Sequence, residues 1–242
     1  MGIRALFIML LVAVAAIAAM AFTGDNAIFL PGLLEGALLT IQIAVVGSII
    51  AFCAAILAAL GKMYGPLAIR WLANIYIEVF RGTSALVQLF WLFFVLPQFG
   101  LLLDAYTSAV IGLGLNVGAY GAEVVRGAIG AVPRGQWEAS TALNMTKGQM
   151  LRRIILPQAL LAMIPPWGNL LIELLKTTAL VSMITLTDLA FKAQQLNQTT
   201  MKTVPIFTLV LLMYLVISLV ITIGMRLLER RASRGLARGR PA

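Results

Sequence analysis

The chain has 242 residues, of which 61% are hydrophobic and 11% are charged, and its mean hydropathy is +0.99. A soluble domain is about half apolar and about a quarter charged, so this chain has too few charges to cover a water-exposed surface. The sequence has no histidine and one cysteine, Cys53, which excludes a Ser-His-Asp triad, an imidazole metal site and an internal disulfide. The composition therefore predicts an integral membrane protein.

Long apolar runs predict the membrane-spanning helices. At about 20 residues per span the chain has room for about six helices, and strand-type alternation is absent, which disfavours an outer-membrane barrel. The second and fifth runs exceed the minimum length, so each must tilt, bend or leave the bilayer. In chain order the runs are residues 5–22, 33–60, 82–98, 107–125, 159–186 and 205–225. The expected fold is an all-α bundle of about six transmembrane helices.

The basic residues predict the orientation of this bundle. If the N-terminus faces the cytoplasm, all 18 basic residues fall on the cytoplasmic side except Lys176, Lys192 and Lys202. Cytoplasmic loops of membrane proteins carry an excess of lysine and arginine, so this orientation is favoured. The net charge of +9 then reflects topology, and no nucleic-acid partner is expected.

Three segments are expected along the chain. Residues 1–32 form an N-terminal transmembrane anchor with a short outer loop, residues 33–225 form the helical core, and residues 226–242 form a basic cytoplasmic tail. An alternative stays open at the N-terminus, since Arg4, an apolar stretch and the sequence Ala19-Met20-Ala21 are also typical of a cleavable secretory signal. We favour the anchor because its apolar run is long for a signal core.

The longest inner connection, residues 126–158, is amphipathic and predicts two short helices. The first is expected over residues 136–143 and the second over residues 147–155, with Asn144 between them and Pro157 ending the second. Two short helices joined by a bend can project into the cytoplasm as a knob. The alternative is a solvated linker that lies on the membrane surface.

This connection resembles the EAA loop of ABC-importer permeases, whose pattern is EAA-x3-G-x9-I-x-L-P. The matching residues are Glu138, Ala139, Ser140, Asn144, Ile154, Leu156 and Pro157. Three further segments resemble the polar amino-acid branch of these permeases, which includes histidine, glutamate, glutamine, arginine, opine and ectoine types. They are EVFRGT at 78–83, AIGAVPRGQ at 128–136 and LKTTAL at 175–180. The resemblance covers most of the chain and implies a type I importer-like fold with a five-helix core and an added N-terminal helix.

In that family the EAA loop forms the coupling helix, which docks in a groove of the cytoplasmic ATPase. The resemblance therefore implies that the seven matching residues contact an ATPase. Glu138 can accept hydrogen bonds or pair with a basic group, and Ala139 and Ser140 are small enough for close approach. Asn144 stands where the family has glycine, and asparagine tolerates positive φ better than most residues, so we expect the bend to be kept.

The chain has no ATPase motif of its own. Its Gly61-Lys62 pair lacks the spaced glycine and the hydroxyl residue of the phosphate-binding pattern G-x-x-x-x-G-K-[ST]. The resemblance implies two ABC ATPase subunits that bind ATP and magnesium, a second permease subunit and an extracytoplasmic solute-binding protein. It places the chain among the lipids of a bacterial inner membrane, with no cofactor, metal or catalytic residue of its own.

Polar side chains within the spans are candidates for a translocation path, because ionisable groups there are costly. Glu173 and Lys176 lie three residues apart on one face of the fifth span, and Asn169 lies one turn earlier. The proline pair at 165–166 is expected to bend or break this helix. Asn116 in the fourth span is a further candidate. Two interpretations stay open: Glu173 faces a substrate cation, or it forms an ion pair with Lys176 that locks helices together.

The sequence thus predicts the permease subunit of an ATP-driven importer for a polar, zwitterionic solute. An amino acid is the first expectation. An ectoine-like compatible solute is the second, because Leu170 and Ala179 stand where the family often has an acid and a serine. An ion-coupled secondary transporter would predict inverted repeats, and the sequence shows no clear inverted repeat. A structural membrane protein would not need Glu173 and Lys176 in a span.

Overall fold

The computed structural model describes residues 2–22 and 24–237, and this part of the chain contains helices and no strands. The predicted all-α class is therefore confirmed. In chain order the α-helices are α1 (Ile3–Phe22), α2 (Leu30–Tyr64), α3 (Leu67–Gly82), α4 (Ala85–Phe90), α5 (Ala105–Gly130), α6 (Arg134–Ala142), α7 (Lys147–Met150), α8 (Leu156–Thr177), α9 (Leu189–Thr200) and α10 (Thr203–Ala237).

Among the described residues, five helical stretches are long and apolar enough to cross a bilayer, and a bent pair brings the number to as many as six. They are Ile3–Met20, Ala27–Tyr64, Ala105–Gly130, Lys147–Ile184 and Thr203–Ser233, with Leu67–Gly82 and Ala85–Phe99 as the bent pair. The predicted bundle of about six spans agrees with this result.

One predicted helix end was wrong. The predicted helix over residues 147–155 was expected to end at Pro157. Instead, a π-helical turn, Leu151–Ile155, joins α7 to α8, and the helix continues through Pro157. Pro157 lies in the first turn of α8, where a missing N–H group is least costly.

The most buried of these stretches is α5, which packs along α2 through small residues. A Cβ atom added to Gly118 would lie 2.9 Å from the Cβ of Ala54 and 3.1 Å from the carbonyl oxygen of Ala51. One added to Gly121 would lie 2.9 Å from the Cβ of Ala55. Lipid gives apolar helices no hydrophobic reason to pair, so close backbone approach through small residues supplies the packing energy.

The predicted third span, residues 82–98, is only half of a broken helix pair. The helix α3 and the stretch Ala85–Phe99 meet at 110° across a short break. The apolar pattern assigns most of α3 to a loop, because Arg81 and other charged residues interrupt it. Its buried residues, Ala73 and Ile77, pack within the bundle, and α3 contacts both α2 and α5. The turn between the two halves, residues 82–84, is exposed, so only the helix before it packs into the bundle.

The ends of the chain pack against each other. Leu6 of α1 contacts Leu219 and Ile223 of α10 in a small apolar cluster. The helix α10 continues through Met225 to Ala237 without a break, so the predicted boundary between core and tail at residue 225 is not a structural one. Residues 238–242 of the predicted tail lie outside the described residues.

Candidate functional site

The first predicted site, the EAA loop, forms a folded knob between α5 and α8. The predicted helix at 136–143 is present as α6. Glu138 and Ala139 are exposed on it, whereas Ser140 is only 3% exposed and its hydroxyl donates to the carbonyl oxygen of Gln136 at 2.6 Å. Glu138 and Ala139 are therefore available to a partner, while Ser140 packs against its own chain.

The corner of the knob has the backbone that the sequence predicted. Asn144 is exposed and has φ = 53°, in the left-handed region. Directly after it, Thr146 and Gln149 cap α7 reciprocally: the Gln149 N–H donates to the Thr146 hydroxyl at 3.3 Å, and the Thr146 N–H donates to the Gln149 side chain at 3.0 Å. This capping box fixes the direction in which α7 leaves the corner.

The end of the EAA pattern anchors the knob to the bundle. Ile154 and Leu156 are half-buried and Pro157 is exposed, whereas Ile155, the unspecified residue between them, is fully buried. Met150 is buried in the same cluster. The EAA motif specifies neither position, so it does not by itself mark Ile155 and Met150 as anchors of the knob.

An ion-pair network at the foot of the knob was also missed. The Lys62 ammonium lies 2.9 Å from one carboxylate oxygen of Glu123, and the Arg126 guanidinium lies 2.7 Å from the other. The network joins the last turn of α2 to Glu123, seven residues before α5 ends at Gly130. The i,i+3 spacing of Glu123 and Arg126 was visible in the sequence, but the partner on α2 was not.

The second predicted site is one face of α8. Asn169, Glu173 and Lys176 are all exposed in the single chain, and with Ile172 they line a pocket of about 330 Å³. Within the described part of the chain, Glu173 and Lys176 form no ion pair with each other or with a third residue. The interpretation as a neutral pair that locks helices together is therefore not supported.

The prolines of α8 were predicted to bend or break the helix, and the structure shows no break. Pro165 and Pro166 lie inside one helix that continues from Leu156 to Thr177. Met163 and Trp167 are buried on either side of them, and this packing holds the helix across the lost hydrogen bonds. The helix tightens later instead, into a 3₁₀ segment at Thr178–Ile184.

Asn116 is not brought into the α8 pocket. It is buried, and its side-chain amide donates to the Phe80 carbonyl and to the Gln88 side chain, both at 3.0 Å. Gln88 in turn donates to the Phe80 carbonyl at 3.0 Å and to the Thr83 hydroxyl at 2.7 Å. Asn116 therefore satisfies backbone groups that the break between α3 and α4 leaves open, a structural role that sequence analysis did not foresee.

Asp188 is a buried acid whose role the sequence did not show. It is 0% exposed and caps α9, with one carboxylate oxygen accepting from the Phe191 N–H at 2.9 Å. Its other oxygen has no hydrogen-bond partner in the described residues. Burial raises the pKa of Asp188 to about 6. The backbone N–H of Leu189 donates to the Thr40 hydroxyl at 3.1 Å, which fixes the start of α9 on α2.

Comparison with known proteins identifies the family. Residues 47–234 match the family described as binding-protein-dependent transport system inner membrane component. The chain belongs to this family. The probable amino-acid ABC transporter permease protein y4tF of Sinorhizobium fredii is 46% identical over 206 residues, covering 83% of this chain and 87% of that protein. The L-cystine transport system permease protein TcyB of Bacillus subtilis is 37% identical, covering 87% of this chain and 90% of that protein.

A solved structure agrees with these relatives. A chain of the crystal structure of an amino acid ABC transporter with histidines matches with a TM-score of 0.80 and 34% identity, covering 86% of this chain and 97% of that chain. The predicted relationship to the polar amino-acid branch of ABC-importer permeases and the type I importer fold are both confirmed. The chain is a multi-pass inner-membrane translocation subunit rather than an enzyme, and the alternative of a secondary transporter is not supported.

Proposed function

We propose that the chain is the permease subunit of an ATP-driven importer for a zwitterionic amino acid. The observation that carries the proposal is the exposed face of α8, where Asn169, Glu173 and Lys176 line one pocket. Relatives named as amino-acid and L-cystine permeases support the solute class.

The charges on this face fit a path for a zwitterion. Charged side chains in contact with lipid are costly, so they face water or another polypeptide. Glu173 and Lys176 lie about one helical turn apart and do not neutralise each other, so Glu173 can take the ammonium of the solute and Lys176 its carboxylate. Asn169 adds an amide, one turn before Glu173, for a neutral polar group.

A second permease subunit supplies the other wall of this path. All four residues that line the pocket belong to α8, so one helix alone forms it in the single chain. A related or identical subunit that presents the same kind of face would enclose the pocket and shield its charges from lipid.

The knob couples this path to ATP. Glu138 and Ala139 form the exposed contact on α6, and the positive-φ corner at Asn144 holds that helix at a fixed angle to α7. Ile155 fastens the knob to the bundle, so a force on α6 reaches α8 directly. Two ABC ATPase subunits dock there and bind ATP and magnesium, and a solute-binding protein delivers the solute on the opposite side of the membrane.

Uptake into proteoliposomes tests the proposal. The permease is purified with its ATPase subunits, reconstituted with ATP in the lumen, and supplied from outside with its solute-binding protein and labelled solutes. The twenty protein amino acids, L-cystine and ectoine form the panel. We expect ATP-dependent uptake of an amino acid, and we expect Glu173→Gln to lower it at least tenfold.

The matched control is Glu35→Gln, which removes a carboxylate from an exposed residue that pairs with Lys192, away from the α8 pocket. We expect its uptake to match that of the unchanged protein. Transport of ectoine alone would correct the solute class. The absence of ATP-dependent uptake of every solute in the panel would overturn the proposal, as would wild-type uptake by Glu173→Gln.

A further inference from the structure

A second polar groove lies between α8 and α10, next to the α8 pocket. Its volume is about 550 Å³, within the range of about 300–1,000 Å³ that small-molecule sites occupy. One wall comes from α8 and the other from α10. Its polar and charged residues are Asn169, Thr222, Arg226, Glu229, Arg230 and Ser233.

The helix α10 presents its charges to this groove and not to the other groove that it forms with α8. The residues that α10 contributes recur at the three- and four-residue spacing of one helix face. On the other side of Met225, the same two helices form a groove of about 300 Å³ whose lining includes Trp167, Leu160 and Leu228 and no charged residue. The charged groove is therefore not a general property of this helix pair.

The charged groove is continuous with the α8 pocket. Asn169 and Ile172 line both cavities. A polar surface thus extends from Lys176 and Glu173 along α8 to Arg230 near the end of α10. The many arginines of this end place it on the cytoplasmic side, so the surface leads from the middle of the membrane toward the cytoplasm.

We propose that this groove is a second solute site, which holds the imported amino acid on the cytoplasmic side of the path. Arg230 binds the carboxylate, because a guanidinium group matches the geometry of a carboxylate. Glu229 binds the ammonium. The inference rests on the proposed function, since it assigns the groove to the same solute.

The mixture of charges favours a zwitterion over a purely anionic ligand. A phospholipid headgroup at the inner leaflet would be attracted by the arginines, but it would meet the carboxylate of Glu229 in the same groove. A zwitterion satisfies both signs. The groove also leads to Glu173, a second carboxylate, where an anion would be repelled again.

Occupancy of this site slows transport. A ligand stabilises whichever conformation binds it better, so solute bound at the cytoplasmic end holds the path open to the cytoplasm and delays its return. Solute that accumulates in the cytoplasm therefore inhibits its own import.

The test uses the assembled transporter in proteoliposomes, with the amino acid that is imported fastest as the probe. Initial uptake is measured with and without the unlabelled probe in the lumen, at equal lumenal ATP. We expect lumenal probe to lower initial uptake at least fivefold. We expect its methyl ester, which lacks the carboxylate, and its N-acetyl derivative, which lacks the ammonium, to inhibit at least tenfold less potently.

Arg230→Gln and Arg231→Gln are the matched variants. Both remove one positive charge from the same turn of α10, but Arg231 does not line the groove. Within each variant the ratio of uptake with and without lumenal probe is compared, so that differences in folding or assembly cancel. We expect Arg230→Gln to raise the inhibitory lumenal concentration at least tenfold and Arg231→Gln to leave it unchanged.

Each result decides between explanations. If no solute is imported into vesicles that contain ATP but no lumenal probe, the proposed function fails and this inference fails with it. If import proceeds but lumenal probe has no effect, or if both arginine variants respond alike, this inference alone is overturned. If Arg230→Gln alters uptake only in vesicles that contain phosphatidylglycerol, and lumenal probe has no effect, the groove binds lipid and the solute site is wrong.

Discussion

Two polar regions of the predicted spans differ in whether their side chains find partners within the chain. At the break between α3 and α4, the side chains of Asn116 and Gln88 bond each other and the Phe80 carbonyl. On the exposed face of α8, Glu173 and Lys176 have no ion-pair partner among the described residues. Both regions contain an asparagine in a predicted span, yet one stabilises the fold and the other remains available to a ligand.

The difference shows how polar residues in a membrane helix can be sorted. Leaving a polar group unpaired in a low-dielectric interior is costly, so a polar residue needs a partner inside the chain, water or a second molecule. The pairing in the structure separates these cases, whereas residue type alone does not. Four predictions test this separation, in order of their expected effect on folding.

The largest effect is expected for Asn116→Leu. Leucine has a similar size but no donor, so the Gln88 carbonyl oxygen loses its partner and the Phe80 carbonyl keeps only one of two. We expect a loss of about 2–4 kcal/mol of stability, measured as a lower unfolding temperature and less folded protein in detergent. The matched change Asn169→Leu, on the exposed face of α8, should leave both quantities near those of the unchanged protein. Equal losses in the two variants would contradict the comparison.

Asp188 tests a case between the two regions, since one of its oxygens is paired and the other is not. Burial raises its pKa to about 6, above the value of about 3.9 in an unfolded chain. The folded state therefore binds the proton more tightly, and its stabilising effect is present below about pH 4 and lost as the pH rises through about 6. At about 1.4 kcal/mol per pKa unit, the loss is about 3 kcal/mol.

The measurement is the unfolding temperature between pH 4 and pH 7, compared with that of Asp188→Asn. Asparagine still caps α9 but does not titrate. As the pH rises over this range, we expect the unfolding temperature of Asp188→Asn to increase relative to that of the unchanged protein. A constant difference would mean that Asp188 is charged and solvated, which its burial argues against.

A smaller effect is expected at the corner of the knob, which lies outside the spans. Asn144 has φ = 53°, a region that costs an L-residue about 1–2 kcal/mol and that β-branched residues avoid most strongly. We expect Asn144→Val to disorder the corner and to lower ATP-driven uptake severalfold. We expect Asn144→Gly to keep both the corner and the uptake, because glycine adopts positive φ readily. ATPase activity stimulated by the solute-binding protein is the second measurement, and equal uptake by the two variants would contradict the role of the backbone here.

The sequence predicted the parts of this molecule whose requirements are local. The positive φ at Asn144 could be foreseen because residue type and motif spacing both mark a backbone demand at one position. The spans at 5–22 and 205–225 could be foreseen because length and hydropathy decide them. The amphipathic helix α9 was missed because it is short and polar, and its buried residues, Leu189 and Ala193, are recognised only against the helices that cover them.

The remaining errors concern packing and side-chain pairing, which the order of residues along the chain does not show. The partner of Asn116 is a backbone carbonyl at Phe80, which no side-chain pattern marks. The prolines at 165 and 166 suggested a break because propensity was considered without packing, and buried neighbours kept the helix intact. The Glu173–Lys176 spacing permitted an ion pair, but spacing does not determine which way two flexible side chains point.

The smallest effect on folding is expected for Glu173 and Lys176, the two charged residues on the exposed face of α8. If Glu173 and Lys176 formed a buried structural pair, removing one would strand the other at a cost of roughly 3–5 kcal/mol, and the double change would restore folding. Since both are exposed and unpaired with each other, we expect Glu173→Gln, Lys176→Met and the double variant to give equal amounts of folded, assembled protein. Uptake should fall in all three, and in the single variants the preference among cationic, neutral and anionic amino acids should shift with the charge removed. A single variant that loses folded protein, together with a double variant that regains it and transports normally, would return these residues to a structural role and assign the path to uncharged side chains.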